Sequence, residues 1–165
     1  MKNWKKIIIA SVLMIAVLFS TTTFVEAAPK VKGYTFKYNG VTVAPHAEAK
    51  DLIKKAGKPQ KKTKSKSCAY DGEDITYQYK DFKLITYTNK KGGTEYVQSI
   101  DFKTKKVTTD QGIKIGSKKS AVTKKYKNGT FNKLSGVYTC TKGKTTIQFT
   151  IKNDKVTAIK YIAEI

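Results

Sequence analysis

The sequence predicts an α+β fold built from two tandem repeats. Each repeat is a helix followed by an antiparallel meander, with the helices packed on one face of the sheet or sheets. Three observations carry this. Gly40-Val41-Thr42-Val43-Ala44-Pro45 runs on to Ile53-Lys54-Lys55-Ala56-Gly57, and the pattern returns as Gly112-Ile113-Lys114-Ile115-Gly116-Ser117, running on to Thr123-Lys124-Lys125-Tyr126-Lys127. Both copies read as a short apolar strand, a small-residue turn and an amphipathic helix, and a recurring unit of this kind buries its core against its twin. Each is followed by Tyr/Ile/Thr-rich runs bounded by Gly, Asn and Asp, the pattern of strands joined by tight turns. The expected divisions are a signal peptide at 1–27, a first repeat at 28–105 and a second at 106–165, the two repeats forming one compact pseudo-symmetric unit.

The elements follow in order. Tyr34–Tyr38 and Val41–Val43 flank Asn39-Gly40, a two-residue hairpin signal because both positions tolerate positive φ. Pro45 is expected to start a helix through Ala56, with Ala49, Leu52, Ile53 and Ala56 on its apolar face and Gly57 closing it. Lys58–Lys66 reads as a solvated loop or ragged strand carrying five lysines. Ser67–Tyr70, Asp74–Lys80, Phe82–Thr88 and Glu95–Phe102 read as strands. In the second copy Ser117 is expected to cap a helix through about Lys127, with Ala121, Val122 and Tyr126 inward. Lys118 and Lys119 in its first turn oppose the helix dipole. Gly136–Thr141, Lys144–Ile151 and Lys155–Ile162 complete the second meander. Ile147, Phe149 and Ile151 alternate with Thr146, Gln148 and Thr150, as in a sheet with one face packed and one wet.

Residues 1–27 read as a secretory signal. Lys2, Lys5 and Lys6 precede an apolar run of 13 residues, Ile7 to Phe19, and Val25 and Ala27 place small residues before a cut at Ala28. The run is short of the roughly 20 residues that span a bilayer, so no transmembrane segment is expected after cleavage, and the protein is expected to be secreted, with wall association an option. From Ala28 onward 30 basic and 11 acidic residues leave a net charge of +19. All 33 basic residues of the chain are lysine. Arginine is the side chain suited to bidentate reading of guanine or phosphate, so sequence-specific nucleic-acid recognition is disfavoured. Lysine favours anionic polymers by non-specific attraction; a purely compositional origin of the charge is the other reading.

Little in the chain points to catalysis. His46 is the sole histidine and, without Cys or His at ligand spacing, marks no zinc site; it reads as a surface or capping residue. No Ser/His/acid or Cys/His set can be assembled except from His46 by coincidence. Asp71-Gly72-Glu73-Asp74 lacks the later ligands of a calcium loop and reads as a turn. No catalytic, cofactor or metal residues are expected. Cys68 and Cys140 are the only cysteines. In an exported chain two cysteines are more often bridged than free, and such a bridge would stabilise the fold by about 4 kcal/mol; two separate buried thiols are the alternative. The candidate binding surface comprises the basic run Lys61, Lys62, Lys64 and Lys66 together with the wet sheet positions Thr146, Gln148, Thr150 and Lys160.

Several strings carry a resemblance: Gly40-Val41-Thr42-Val43-Ala44-Pro45-His46-Ala47, Ser67-Cys68-Ala69-Tyr70-Asp71-Gly72-Glu73-Asp74, Tyr77-Gln78-Tyr79, Ile85-Thr86-Tyr87, Tyr96-Val97-Gln98-Ser99-Ile100 and Gly112-Ile113-Lys114-Ile115-Gly116-Ser117. Together they resemble a family of exported proteins, often lipoproteins, from Gram-positive, clostridia-like bacteria, with no established activity. The doubled helix-plus-meander unit is similar in architecture to the β-lactamase inhibitory proteins. This chain lacks a lipobox cysteine, which turns the expectation towards a wall-associated or released state. The functional expectation is a secreted, non-enzymatic module that binds an extracellular protein or envelope partner through an exposed sheet face. The alternative is a lysine-rich, wall-associated protein binding teichoic acid or lipid headgroups.

Overall fold

A computed structural model describes residues 33–164 of the chain; the expected signal peptide lies outside them. The fold opens with a hairpin of β1 (Phe36–Tyr38) and β2 (Val41–Val43). Its turn sets Asn39 at φ 46° and Gly40 at φ 88°, the positive values that an Asn-Gly hairpin turn requires. Helix α1 (Lys50–Ala56) leads into a meander of β3 (Lys61–Lys66), β4 (Glu73–Gln78), β5 (Phe82–Tyr87) and β6 (Tyr96–Phe102). Helix α2 (Lys119–Lys125) precedes a second meander of β7 (Thr130–Asn132), β8 (Val137–Lys142), β9 (Thr145–Lys152) and β10 (Lys155–Ala163).

The two meanders merge into one antiparallel sheet of eight strands in the order β3-β4-β5-β6-β10-β9-β8-β7. The seam is the pairing of β6 with β10, where Ile100 faces Tyr161. Both edges are blunted against further pairing. Strand β3 carries four lysines and all six of its residues are exposed, while β7 is only three residues long.

This architecture corrects the expected α+β fold of tandem helix-plus-meander repeats. The protein is mostly β, and its two helices are seven residues each, too short to form a covering layer. The first helix starts at Lys50, not at Pro45, because the backbone before it is used elsewhere. His46 N–H bonds to Val97 O (2.8 Å), Val97 N–H to Ala47 O (2.9 Å) and Ala49 N–H to Glu95 O (2.9 Å). This stretch thus runs beside β6, and His46 takes φ 69°. The second helix starts at Lys119, with no side-chain cap. Ser117, expected as its cap, instead accepts the Lys114 N–H on its Oγ (3.1 Å). Of the two readings of Lys58–Lys66, solvated loop or ragged strand, the structure takes the strand: Lys61–Lys66 form the edge strand β3. These losses of helix and gains of strand leave one continuous sheet in place of two repeated units.

Burial alternates along the strands and places the core on one face. Ile75, Leu84, Val97, Ile100, Tyr161, Ile147 and Phe149 are buried there, joined by Leu52 of α1 and Val122 of α2. The β1–β2 hairpin covers the middle of this face, with the Phe36 ring 5.3 Å from Phe82 and 5.5 Å from Phe102. At the end of α2 the Tyr126 carbonyl, an orphan acceptor of the last turn, receives the Tyr138 hydroxyl (2.5 Å) and the Cys140 thiol (3.9 Å). Gly129 lets β7 pass close to this cluster: a Cβ there would meet Tyr138 Cε1 at 2.3 Å and Cys140 Sγ at 2.5 Å.

Both cysteines are therefore free, which corrects the expected bridge. Cys140 is buried on β8, whereas Cys68 is exposed in the turn after β3. Six strand spacings separate β3 from β8, roughly 29 Å at the usual interstrand distance, far beyond the approximately 7 Å Cα separation that a disulfide tolerates.

Candidate functional site

The face opposite the helices has no covering layer among the described residues, and the register fixes what it displays. One row crosses the sheet from Thr63 through Thr76, Ile85, Ser99 and Ile162 to Thr146. The next row runs from Gln78 through Lys83, Asp101 and Lys160 to Gln148 and Thr139. A third pairs Ala158 with Thr150 and Thr150 with Val137. Short hydroxyl, amide and branched apolar groups dominate, a mixture suited to a protein contact.

The expected surface residues divide between three places. Gln148, Thr150 and Lys160 lie together on the uncovered face, with Lys160 directly opposite Gln148. Thr146 shares that face but is 3% exposed, its hydroxyl held by Thr141 Oγ1 at 2.7 Å. Lys61 is on the same face, opposite Gln78, at the far edge. Lys62, Lys64 and Lys66 stand opposite Tyr77, Ile75 and Glu73 and so point to the helix side. The basic run is thus not one patch, because period-two alternation sends its lysines to both sides of β3.

Two carboxylates on the uncovered face were not singled out by the sequence. Asp101 binds Lys83 Nζ through Oδ2 at 2.7 Å, but its buried Oδ1 has no hydrogen-bond partner among the described residues. Asp74, opposite Tyr87, likewise has an unpartnered buried Oδ1. Both atoms are shut off from solvent, so neither is an acceptor that a docking partner reaches directly.

An aromatic cluster closes one end of the face. Tyr70 stacks on Tyr87 at 4.5 Å and 13°, and Tyr96 lies 5.7 Å from Tyr87. His46 Nδ1 is 3.1 Å from the Tyr87 hydroxyl, while its Nε2–H donates to Glu164 O at 2.8 Å. The lone histidine thus clasps the end of β10 to β5. Burial, then the neighbouring Tyr70, raises the Tyr87 pKa. The sequence signal for this cluster was present in the spacing of Ile85 and Tyr87, which alternation places on one face.

On the helix side, α1 and β3–β4 leave a cleft of about 570 Å³ lined by Lys50, Lys54, Lys62, Ile53, Tyr77 and Glu95. Lys62 Nζ sits 4.6 Å above the Tyr77 ring. The Glu95 carboxylate accepts the Tyr77 hydroxyl (2.8 Å to each oxygen) and the Thr86 hydroxyl (2.7 Å). Burial first, then Glu95, pushes the Tyr77 pKa far up. This arrangement sets the Glu95 side chain in a cleft with three lysines but places no nucleophile beside a base. Among the described residues no three His, Cys, Asp or Glu side chains converge as a metal site, and no helix is long and apolar enough to cross a membrane.

No known protein family, curated protein or solved structure matches this chain.

Proposed function

We propose that the chain is an exported, non-enzymatic binding module that engages a protein of the cell envelope through the uncovered face of its sheet. The observation that supports this best is the pair of hydroxyl and amide rows across that face, one from Thr63 through Thr76 to Thr146 and one from Gln78 to Gln148 and Thr139. Such groups both donate and accept, which suits adaptable hydrogen bonding at a protein interface. An anionic polymer offers few donors and would leave much of that capacity unused.

A second reading has its own observation: four lysines on a fully exposed edge strand suit non-specific attraction of teichoic acid or another wall polyanion. Two variants separate the readings. Thr76→Arg with Gln148→Arg crowds the uncovered face, and Lys61, Lys62, Lys64 and Lys66→Gln discharges the edge. On capture from solubilised envelope proteins at 0.15 M salt, the first variant is expected to lose its partner and the second to keep it. Loss only in the lysine variant, with binding abolished by high salt, would overturn the sheet-face reading in favour of the polyanion.

A further inference from the structure

The end of the sheet that holds the β7–β8 turn carries a feature that the sheet-face reading does not use. Leu134 is the one large hydrophobic side chain left fully exposed among the described residues, at 101%. Its exposure is built into the turn. Asn132 Oδ1 accepts the backbone N–H of Leu134 (3.0 Å) and of Ser135 (3.1 Å), and Gly136 N–H returns to Asn132 O (2.9 Å). The leucine is therefore held at the tip of an ordered turn, where a loose loop would let it fold back.

Lysines surround that tip. Lys133 precedes it, and Ile151 N–H bonds Gly136 O (2.7 Å), bringing Lys152 to the same end. Lys119 N–H bonds Asp154 O (2.8 Å), Lys118 bridges Lys155, and Lys119 Nζ lies 3.8 Å above the Phe131 ring of β7. Beside the turn a cleft of about 540 Å³ is lined by Lys118, Lys119 and Lys155 together with Ser120, Thr123 and the acidic Asp154. Asp154 is the only acidic residue between Gln111 and Ala163.

We propose that this end docks on an anionic phospholipid bilayer, Leu134 entering the interface while the surrounding lysines and the cleft receive headgroup phosphates. An apolar tip within a basic rim is complementary to such a surface on both counts, since the leucine gains an apolar environment and each lysine a negative potential. A soluble polyanion would use the lysines but leave Leu134 in water. The contact is separate from the uncovered sheet face, so either can fail without the other.

The test uses the chain from Ala28 onward, which holds every described element and lacks the only tryptophan, Trp4. Leu134→Trp then supplies a single fluorophore. Vesicles of phosphatidylglycerol with phosphatidylcholine should shift its emission to the blue, while pure phosphatidylcholine and soluble polyphosphate should not. Leu134→Ala should weaken co-sedimentation with the anionic vesicles about tenfold, and Lys133, Lys152 and Lys155→Gln together about a hundredfold, both with an unchanged melting temperature. Anionic-vesicle binding that ignores Leu134→Ala, or a tryptophan that stays in water on those vesicles, would overturn the proposal.

Discussion

The two ends of the sheet meet the lysine load in different ways. Between Ala28 and Asp110 there are 18 lysines and nine acidic residues; between Gln111 and Ala163 there are 12 lysines and one. In the β3–β6 part four of the acids are engaged: Glu73 with Lys64 at 3.3 Å, Asp101 with Lys83 at 2.7 Å, Glu95 with Tyr77 and Thr86, Asp81 with Thr104. In the β7–β10 part the corresponding polar contacts join neutral groups, Tyr138 to the Tyr126 carbonyl and Thr141 to Thr146. Positive charge is therefore partly compensated at one end and left free at the other. That asymmetry makes the β7–β10 end, more than the β3–β6 end, the one suited to an anionic surface, while the uncovered face runs across both parts.

The largest expected effect tests whether the two parts stand or fall together. Ile100 faces Tyr161 across the β6–β10 seam and is fully buried. Ile100→Ala should cost about 2–5 kcal/mol and lower a single cooperative melting transition. Two separate transitions, with only one displaced, would show the halves to be independent.

Alkali should affect both parts. Tyr77 and Tyr79 on one side and Tyr126 and Tyr161 on the other are at most 4% exposed. Burial raises all four phenol pKa values above the ordinary value of 10, that of Tyr79 to about 12. The unfolded chain thus ionises first, so stability is level below pH 10 and falls as pH climbs through and beyond 12. Each adds a slope of about −1.4 kcal/mol per pH unit above pH 10. Denaturant melts from pH 8 to 11.5 should show a plateau and then a steep fall; a level profile would contradict the burial of these rings.

Acid removal should sharpen the contrast. Glu95→Ala strands the Tyr77 and Thr86 hydroxyls and should cost about 1–3 kcal/mol. Asp154→Asn, in an exposed turn, should stay within about 0.5 kcal/mol. Equal losses from the two would erase the distinction. The smallest effect concerns the thiols: a reductant should leave the melting temperature unchanged, and a fall of several degrees would mean that Cys68 and Cys140 pair in solution.

Much of the strand content was legible because alternation is a direct imprint of a half-buried sheet. Ile147, Phe149 and Ile151 face the core as their spacing says, and Asn39-Gly40 turns as its dipeptide demands. Helix extent was not legible, since the bonds of Ala44–Ala49 to β6 are tertiary and leave no local pattern. Strand β3 was only half legible, as one of two readings of Lys58–Lys66, for a related reason. Its lysines occur at an exposed edge where neither face is buried, so no alternation marks it. The seam at β6–β10 joins residues some 60 positions apart, and nothing in either strand alone shows that two meanders will share an edge. On the candidate surface, Gln148, Thr150 and Lys160 followed from alternation, but Asp74 and Asp101 did not, because only the assembled sheet leaves their oxygens without donors.

The claim that the uncovered face is the binding surface is tested most directly by photo-crosslinking from the two sides of the sheet. A photoreactive residue placed at Gln148, on the uncovered face, should give a discrete adduct with a single envelope protein. The same group at the exposed helix residue Lys55 should give none. Adducts of equal yield from both positions, or from Lys55 alone, would contradict the account.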